Sequence, residues 1–85
     1  MALAILYKSP DGGLFSLMAS LRPSQDGGQV RVRALVPRAS VLDWEKTWEA
    51  EETRIDSSTT IFYGEEDLQA YLFEKGFERV RTNPG

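Results

Sequence analysis

The sequence predicts a small α+β domain in which a mostly antiparallel sheet of three to four strands carries a C-terminal helix on one face. Three observations predict this class: apolar side chains alternate along the first part of the chain, turn-forming loops separate the alternating runs, and a helical stripe follows near the C-terminus. A chain of 85 residues has room for one modest core, so residues 1–85 are expected to form a single domain.

The alternating runs predict an N-terminal β-meander of three antiparallel strands, over residues 2–8, 14–22 and 29–36. In the first two strands the predicted inward face carries residues such as Ile5 and Leu17, and in the third strand it carries Val30 and Val32. The connecting segments, residues 9–13 and 23–28, both end in Asp-Gly-Gly, which is typical of tight turns.

A short helix or turn is predicted over residues 41–46, because Ser40 followed by Asp43 resembles a helix start with capping residues. Trp44 and Trp48 then lie on one helical face, although a strand would also bring the two tryptophans together. Residues 43–56 are rich in acids and are expected to form an exposed segment.

The C-terminal third predicts a strand, a helix and a short edge strand. Residues 59–63 are β-branched and aromatic, as in a strand. Three acids open the following helix at residues 65–67, its core stripe is Leu68, Tyr71 and Leu72, and Gly76 ends it. An edge strand is expected at residues 78–81, and residues 82–85 are expected to be frayed.

The composition excludes several kinds of chemistry. The chain has no histidine and no cysteine, so zinc sites and nucleophiles that depend on either residue are excluded. No spacing of the remaining carboxylates, lysines and hydroxyls matches a catalytic motif, and we therefore expect a non-enzymatic protein without catalytic residues, cofactor, metal or small-molecule substrate. The N-terminal apolar run is too short for a signal peptide or a membrane span, which predicts a cytoplasmic location without a membrane partner.

Charge is divided unevenly along the chain. Residues 1–40 carry five bases and two acids, a net charge of +3, and residues 41–85 carry five bases and eleven acids, a net charge of −6. The assigned strand phase places basic and apolar side chains together on the outer face of the meander. This predicted partner-binding face contains Leu6, Lys8, Met18, Arg22, Arg31, Arg33 and Leu35.

Two explanations of that face stay open. Polar residues are ordinary on the wet side of a sheet, and its apolar residues could be covered within the chain by the segment around Trp44. If the face is instead an interface, the leading hypothesis is a regulatory module that binds another protein, most simply a second copy related by a two-fold axis.

The same sequence leaves two other functions to weigh. The alternative hypothesis is a nucleic-acid-binding domain that uses the arginines of the sheet. A third is a small acidic inhibitor of the viral type, in which residues 43–56 imitate the phosphates of a nucleic acid.

Overall fold

The computed structural model describes residues 4–47 and 58–83, which form one five-stranded antiparallel sheet and two helices. The sheet order is β4-β3-β2-β1-β5. The elements in chain order are β1 (Ala4–Lys8), β2 (Leu14–Pro23), β3 (Gln29–Arg38), α1 (Val41–Thr47), β4 (Thr60–Phe62), α2 (Glu65–Glu74) and β5 (Glu78–Asn83). The α+β class, the β-meander and the C-terminal helix are confirmed, and the sheet has more strands than expected.

The C-terminal strand is longer than predicted. β5 pairs with β1 along the edge of the sheet, with Thr82 opposite Ile5 and Asn83 opposite Ala4. The prediction of a frayed tail is therefore wrong for residues 82 and 83, because their backbone groups belong to a sheet ladder. Residues 84 and 85 lie outside the described residues.

The two hairpins of the meander are closed by the same turn. In each, a Ser-x-Asp-Gly-Gly segment places its first glycine in the left-handed region, with φ of +94° at Gly12 and +90° at Gly27. The Gly12 N–H donates to the Ser9 carbonyl at 2.9 Å, and the Gly27 N–H donates to the Ser24 carbonyl at 3.2 Å. A tight turn followed by a glycine of this conformation is a frequent three-residue hairpin loop, so both turns are specified locally.

Each turn also holds an aspartate by hydrogen bonds. The Ser9 hydroxyl and the Gly13 N–H donate to the Asp11 carboxylate, and these bonds lower its pKa below the usual value of 3.8. Ser24 and Gly28 lower the pKa of Asp26 in the same way.

This arrangement predicts how stability depends on pH. As pH falls, Asp11 and Asp26 take up protons in the unfolded chain before they do so in the folded chain, so their contribution is complete above the usual aspartate pKa and is lost below it. With no histidine, the free energy of unfolding should be nearly constant from about pH 6 to 8. Denaturant titrations across pH should show this plateau, and Asp11→Asn with Asp26→Asn should reduce the acid loss. An unfolding transition near neutral pH would contradict the prediction.

Loop length fixes which residues face each other in β2 and β3. Ser24 and Gly28 close the three-residue loop between β2 and β3, so Pro23 pairs with Gln29. The register then places Leu17 opposite Leu35. Arg31, Arg33 and Leu35 therefore share a face with Leu17, and the strand phase predicted for β3 is wrong. The other face of β3 carries Val30, Val32, Ala34 and Val36.

Both faces of the sheet are covered, which explains why both can be apolar. On one face, Leu68 and Leu72 of α2 pack in a core cluster with strand residues that include Leu17. On the other face, Trp44 of α1 packs against Ala4 and Leu6, so the segment around Trp44 covers apolar residues of the sheet, and the helical alternative for this segment is confirmed. The Ser40 hydroxyl accepts a hydrogen bond from the Asp43 N–H at 3.0 Å and caps this helix, as the sequence indicates. Trp48 lies outside the described residues.

α2 ends as predicted. Gly76 has φ of +72°, and its N–H donates to the Phe73 carbonyl at 3.2 Å. The Phe77 N–H donates to the Leu72 carbonyl at 3.0 Å, which completes a Schellman motif. The Phe77 ring then packs edge-on against Phe15 and Tyr7, with centroids 5.4 and 6.4 Å apart. This contact fixes the C-terminal end of α2 beside the first turn of the meander.

Candidate functional site

The β2–β3 hairpin extends beyond the rest of the described sheet. Its pairing continues to Pro23 and Gln29, whereas β1 pairs with β2 only up to Leu17 and β4 pairs with β3 only up to Arg33. We call residues 19–33 the arm. The arm contains three arginines and one acid, a net charge of +2 within a chain of net charge −3. It is therefore a local basic projection on an acidic protein.

One face of the arm lies on the same side of the sheet as α2. Register places Ala19 opposite Arg33 and Leu21 opposite Arg31 on this face, and we call these four residues the arm face. Ala19 and Arg31 are exposed, Arg33 is half-buried, and 57% of Leu21 is exposed. The arm face thus presents apolar side chains beside guanidinium groups.

α2 covers the sheet only as far as the arm. The Arg33 guanidinium donates to the Glu65 carboxylate at 3.1 Å, and Glu65 is the first residue of α2. At the other end of the helix, a Cβ atom on Gly76 would lie 3.1 Å from the Pro10 ring. The helix therefore runs from the arm towards the first turn, and this side of the sheet is a step: α2 is its raised half and the arm face is its lower half.

The surface of α2 that points away from the sheet carries an exposed aromatic residue. Successive helical residues are about 100° apart, so Glu66, Ala70 and Phe73 all lie within about 40° of the direction opposite Leu68. We call these three residues the helix crest. All three are exposed, and Phe73 is 87% exposed. A phenylalanine this exposed contributes little to the core, and its burial against a partner would be favourable.

The helix crest is surrounded by negative charge. Asp67 and Glu74 are exposed on α2 three residues before and four residues after the crest residue Ala70, and Glu66 belongs to the crest itself. The nearest lysine in sequence, Lys75, lies over the ring of Tyr71, with its amine 5.9 Å from the ring centroid. The raised half of the step is therefore acidic and the lower half is basic.

The apolar members of the predicted partner-binding face are buried. Leu6, Met18 and Leu35 lie in the centre of the sheet, and Leu35 is on the opposite face from the other two. Their predicted exposure is wrong, because helices cover both faces of the sheet. The alternative of cover within the chain is confirmed for Leu6, which packs against Trp44.

The basic members of that face are divided between two places. Arg22, Arg31 and Arg33 lie together on the arm, with Arg22 on the opposite face from the other two. Lys8 lies at the other end of the sheet, in the same row as Leu14 and Arg38. A single basic face is therefore wrong, and partner binding by these basic residues stays a prediction.

The α1 side of the sheet contains a second polar group of residues. The Ser16 hydroxyl, the Arg38 Nε and the Trp44 Nε1 are buried hydrogen-bond donors, and none has a partner among the described residues. Burial lowers the pKa of Arg38, and the charge of Asp43 opposes this effect. Arg38 donates to the Met18 sulfur at 3.2 Å. These contacts pack the side of the sheet that α1 covers.

Within residues 4–47 and 58–83, no group of three or more acidic side chains is placed to hold a metal ion. Neither helix of this part of the chain has the length and apolarity to cross a membrane. Most of the acidic segment at residues 43–56, on which the inhibitor hypothesis depends, lies outside the described residues.

Two residues of the candidate site were not found from the sequence. Leu21 is on the strand face that the alternation predicts to be inward, but it lies beyond the end of α2 and is therefore exposed. Phe73 interrupts the polar side of α2, and a helical projection of residues 65–74 would have separated it from the core stripe.

Comparisons with known proteins give no match: no family model fits the chain, and no curated protein and no solved structure is significantly similar to it. The candidate site is therefore defined by its own residues alone.

Proposed function

We propose that the protein is a non-enzymatic interaction module that binds another protein through the arm face. The observation that carries the proposal is the 57% exposed Leu21 beside Arg31 on an arm that extends past the described cover of the sheet. Apolar side chains at the centre of a contact, with arginine at its border, are typical of protein interfaces. The anchoring of Arg33 to Glu65 adds rigidity to the base of this surface.

The structure also favours an open strand edge on the arm. Hydrogen-bonded pairs alternate along an antiparallel hairpin, and the Ser24 N–H to Gly28 carbonyl bond of 3.0 Å sets their phase. Gln29 and Arg31 then direct their backbone groups away from β2, and no described strand pairs with them there. A partner strand could add its own hydrogen bonds along this edge.

Nucleic-acid binding is the second candidate, because three arginines lie on the arm and two-stranded ribbons can enter a nucleic-acid groove. Three features make it the weaker one. The arginines are divided between both faces of the arm, and Asp26 lies at its tip. The acidic helix crest also stands on the same side as the arm face and would repel phosphates.

The proposal predicts that Leu21→Asp and Arg31→Glu weaken partner binding without unfolding the domain. Immobilised wild-type protein and each variant would be used for capture from host lysate, with mass spectrometry of the retained proteins. We expect the amount of partner that is retained to fall by about tenfold or more in each variant. A charge reversal or a buried aspartate disrupts a desolvated contact.

The matched control is Leu42→Asp, because Leu42 on α1 is 58% exposed and lies on the other side of the sheet. This control should retain the partner. Capture that is the same for wild type, Leu21→Asp and Arg31→Glu would overturn the assignment to the arm face. Binding of duplex or single-stranded nucleic acid that falls steeply with salt, and is lost in Arg31→Glu, would establish the second candidate instead.

A further inference from the structure

We propose that the stepped side of the sheet is a self-complementary surface, on which two copies of the chain associate about a two-fold axis. In this dimer the helix crest of each copy lies on the arm face of the other. The inference rests on the same arm face as the proposed function, but it names a different occupant and uses a second, independent surface.

The two halves of the stepped side are similar in length. On this side of the sheet, the raised half is α2 and the lower half is the arm face, and the two meet at the Arg33–Glu65 ion pair. A helix of ten residues is about 15 Å long, and the five residues from Ala19 to Pro23 span about 16 Å. The raised half of one copy therefore matches the length of the lower half of another.

The two halves of the stepped side carry opposite charges. The arm has a net charge of +2, and Arg31 is exposed on the arm face. The helix crest and its surroundings present Glu66, Asp67 and Glu74. When the step of one copy faces the step of another, each basic half meets an acidic half, whereas arm against arm or helix against helix would bring like charges together.

Each half of the stepped side exposes a large apolar side chain. Phe73 is 87% exposed and Leu21 is 57% exposed, and both belong to the stepped side. The exchange places each Phe73 against the apolar part of a partner's arm face, around Leu21. An exposed aromatic residue opposite an exposed aliphatic residue is the type of pair that anchors an interface.

Symmetry follows from the position of the two surfaces. Both lie on the same side of the sheet, so a copy that uses its crest also turns its arm face towards the same neighbour. A two-fold axis then satisfies both contacts at once and closes the assembly. Because the dimer covers both arm faces, self-association and binding of another protein would exclude each other.

Sedimentation equilibrium of the purified chain over roughly a hundredfold range of concentration tests the dimer. We expect reversible association that weakens as salt is raised, since charged pairs near the surface are screened. Phe73→Asp and Leu21→Asp should each weaken association by about tenfold or more. Leu42→Asp, which changes an equally exposed leucine on the other side of the sheet, should leave it unchanged.

Arrangement can be tested with introduced cysteines, because the chain has none of its own. Ala19→Cys places a thiol on the arm face and Ala70→Cys places one on the helix crest, and both alanines are exposed. When the two variants are mixed and treated with a short thiol-reactive crosslinker, the mixed product should exceed both products that link identical variants. Dominant links between two copies of one variant would overturn the crossed arrangement.

A chain that is monomeric at every concentration, or a dimer that Phe73→Asp and Leu21→Asp leave unchanged, would overturn the inference. Sedimentation and partner capture together distinguish the dimer from the proposed binding of another protein. Loss of partner capture in Leu21→Asp together with a strictly monomeric wild type would reject the dimer and leave the binding module standing. A dimer that Phe73→Asp and Leu21→Asp weaken, together with partner capture that Leu21→Asp leaves unchanged, would support the dimer and reject binding of another protein through the arm face.

Discussion

Replacing Trp44 by alanine should lower the free energy of unfolding by about 3–5 kcal/mol. The side chain is 1% exposed and is the largest member of the cluster that joins α1 to the sheet, where it contacts Ala4 and Leu6. Its removal leaves a cavity between α1 and the sheet. The other described apolar residues that pack on this cluster, Leu14 and Val41, are only partly buried and would not fill it. Urea denaturation followed by circular dichroism measures the change directly.

The control for this prediction is Trp44→Phe. The Trp44 Nε1 is a buried donor without a partner among the described residues, so phenylalanine removes an unsatisfied polar group while it keeps an aromatic ring. We expect Trp44→Phe to cost much less than Trp44→Ala. Equal losses in the two variants would show that the indole nitrogen has a partner essential to the fold.

Leu17→Ala should destabilise the domain by about 2–5 kcal/mol. Leu17 is 1% exposed, and it lies in the central strand between Ile5 and Leu35 in the cluster that α2 covers. Small domains have a total stability of roughly 5–15 kcal/mol, so this substitution would remove a large part of it.

Leu21→Ala is the matched control for Leu17→Ala, because it makes the same change four residues further along the same face of β2. Leu21 is exposed on the arm, and at protein concentrations where the chain is monomeric its truncation should change stability by no more than about 0.5 kcal/mol. Chemical denaturation of both variants would compare them. Similar losses would mean that the arm face is packed against something in the isolated protein.

Much of the fold could be predicted from local signals. Ser40 and Asp43 marked the start of α1, Gly76 marked the end of α2, and alternation located the strands of the meander. These features depend on backbone conformation and capping within a few residues, which sequence specifies directly.

The register between β2 and β3 needed information that alternation alone does not contain. Alternation places Val30 and Val32 on the same face as Leu17 because all three are apolar, but the turn at residues 24–28 aligns Leu17 with Leu35. The two Ser-x-Asp-Gly-Gly segments do predict this register. Because the segments have the same length and sequence pattern, the residues that flank each of them pair in the same way, Lys8 with Leu14 and Pro23 with Gln29. A sheet buried on both faces also removes the contrast between inward and outward residues.

The candidate site was predicted only in part. The sequence predicts Arg31 and Arg33 of the arm face, but the apolar residues that it places beside them lie in the buried centre of the sheet. The exposed ones, Leu21 and Phe73, owe their exposure to where α2 ends and which way it faces. The end and the orientation of α2 depend on tertiary packing, and the alternation of side chains along a strand contains no information about them.

The position of β1 has a consequence for synthesis on the ribosome. β1 leaves the ribosome first, and β2 and β3 can pair beside it through their short turns, but its other neighbour, β5, is made more than sixty residues later. Until then β1 is an outer strand with one row of unpaired backbone groups, of the kind that invites pairing with other chains. Pairing with β5 therefore moves the open edge of the described sheet from β1, an apolar and largely buried strand, to β5, which carries charged side chains.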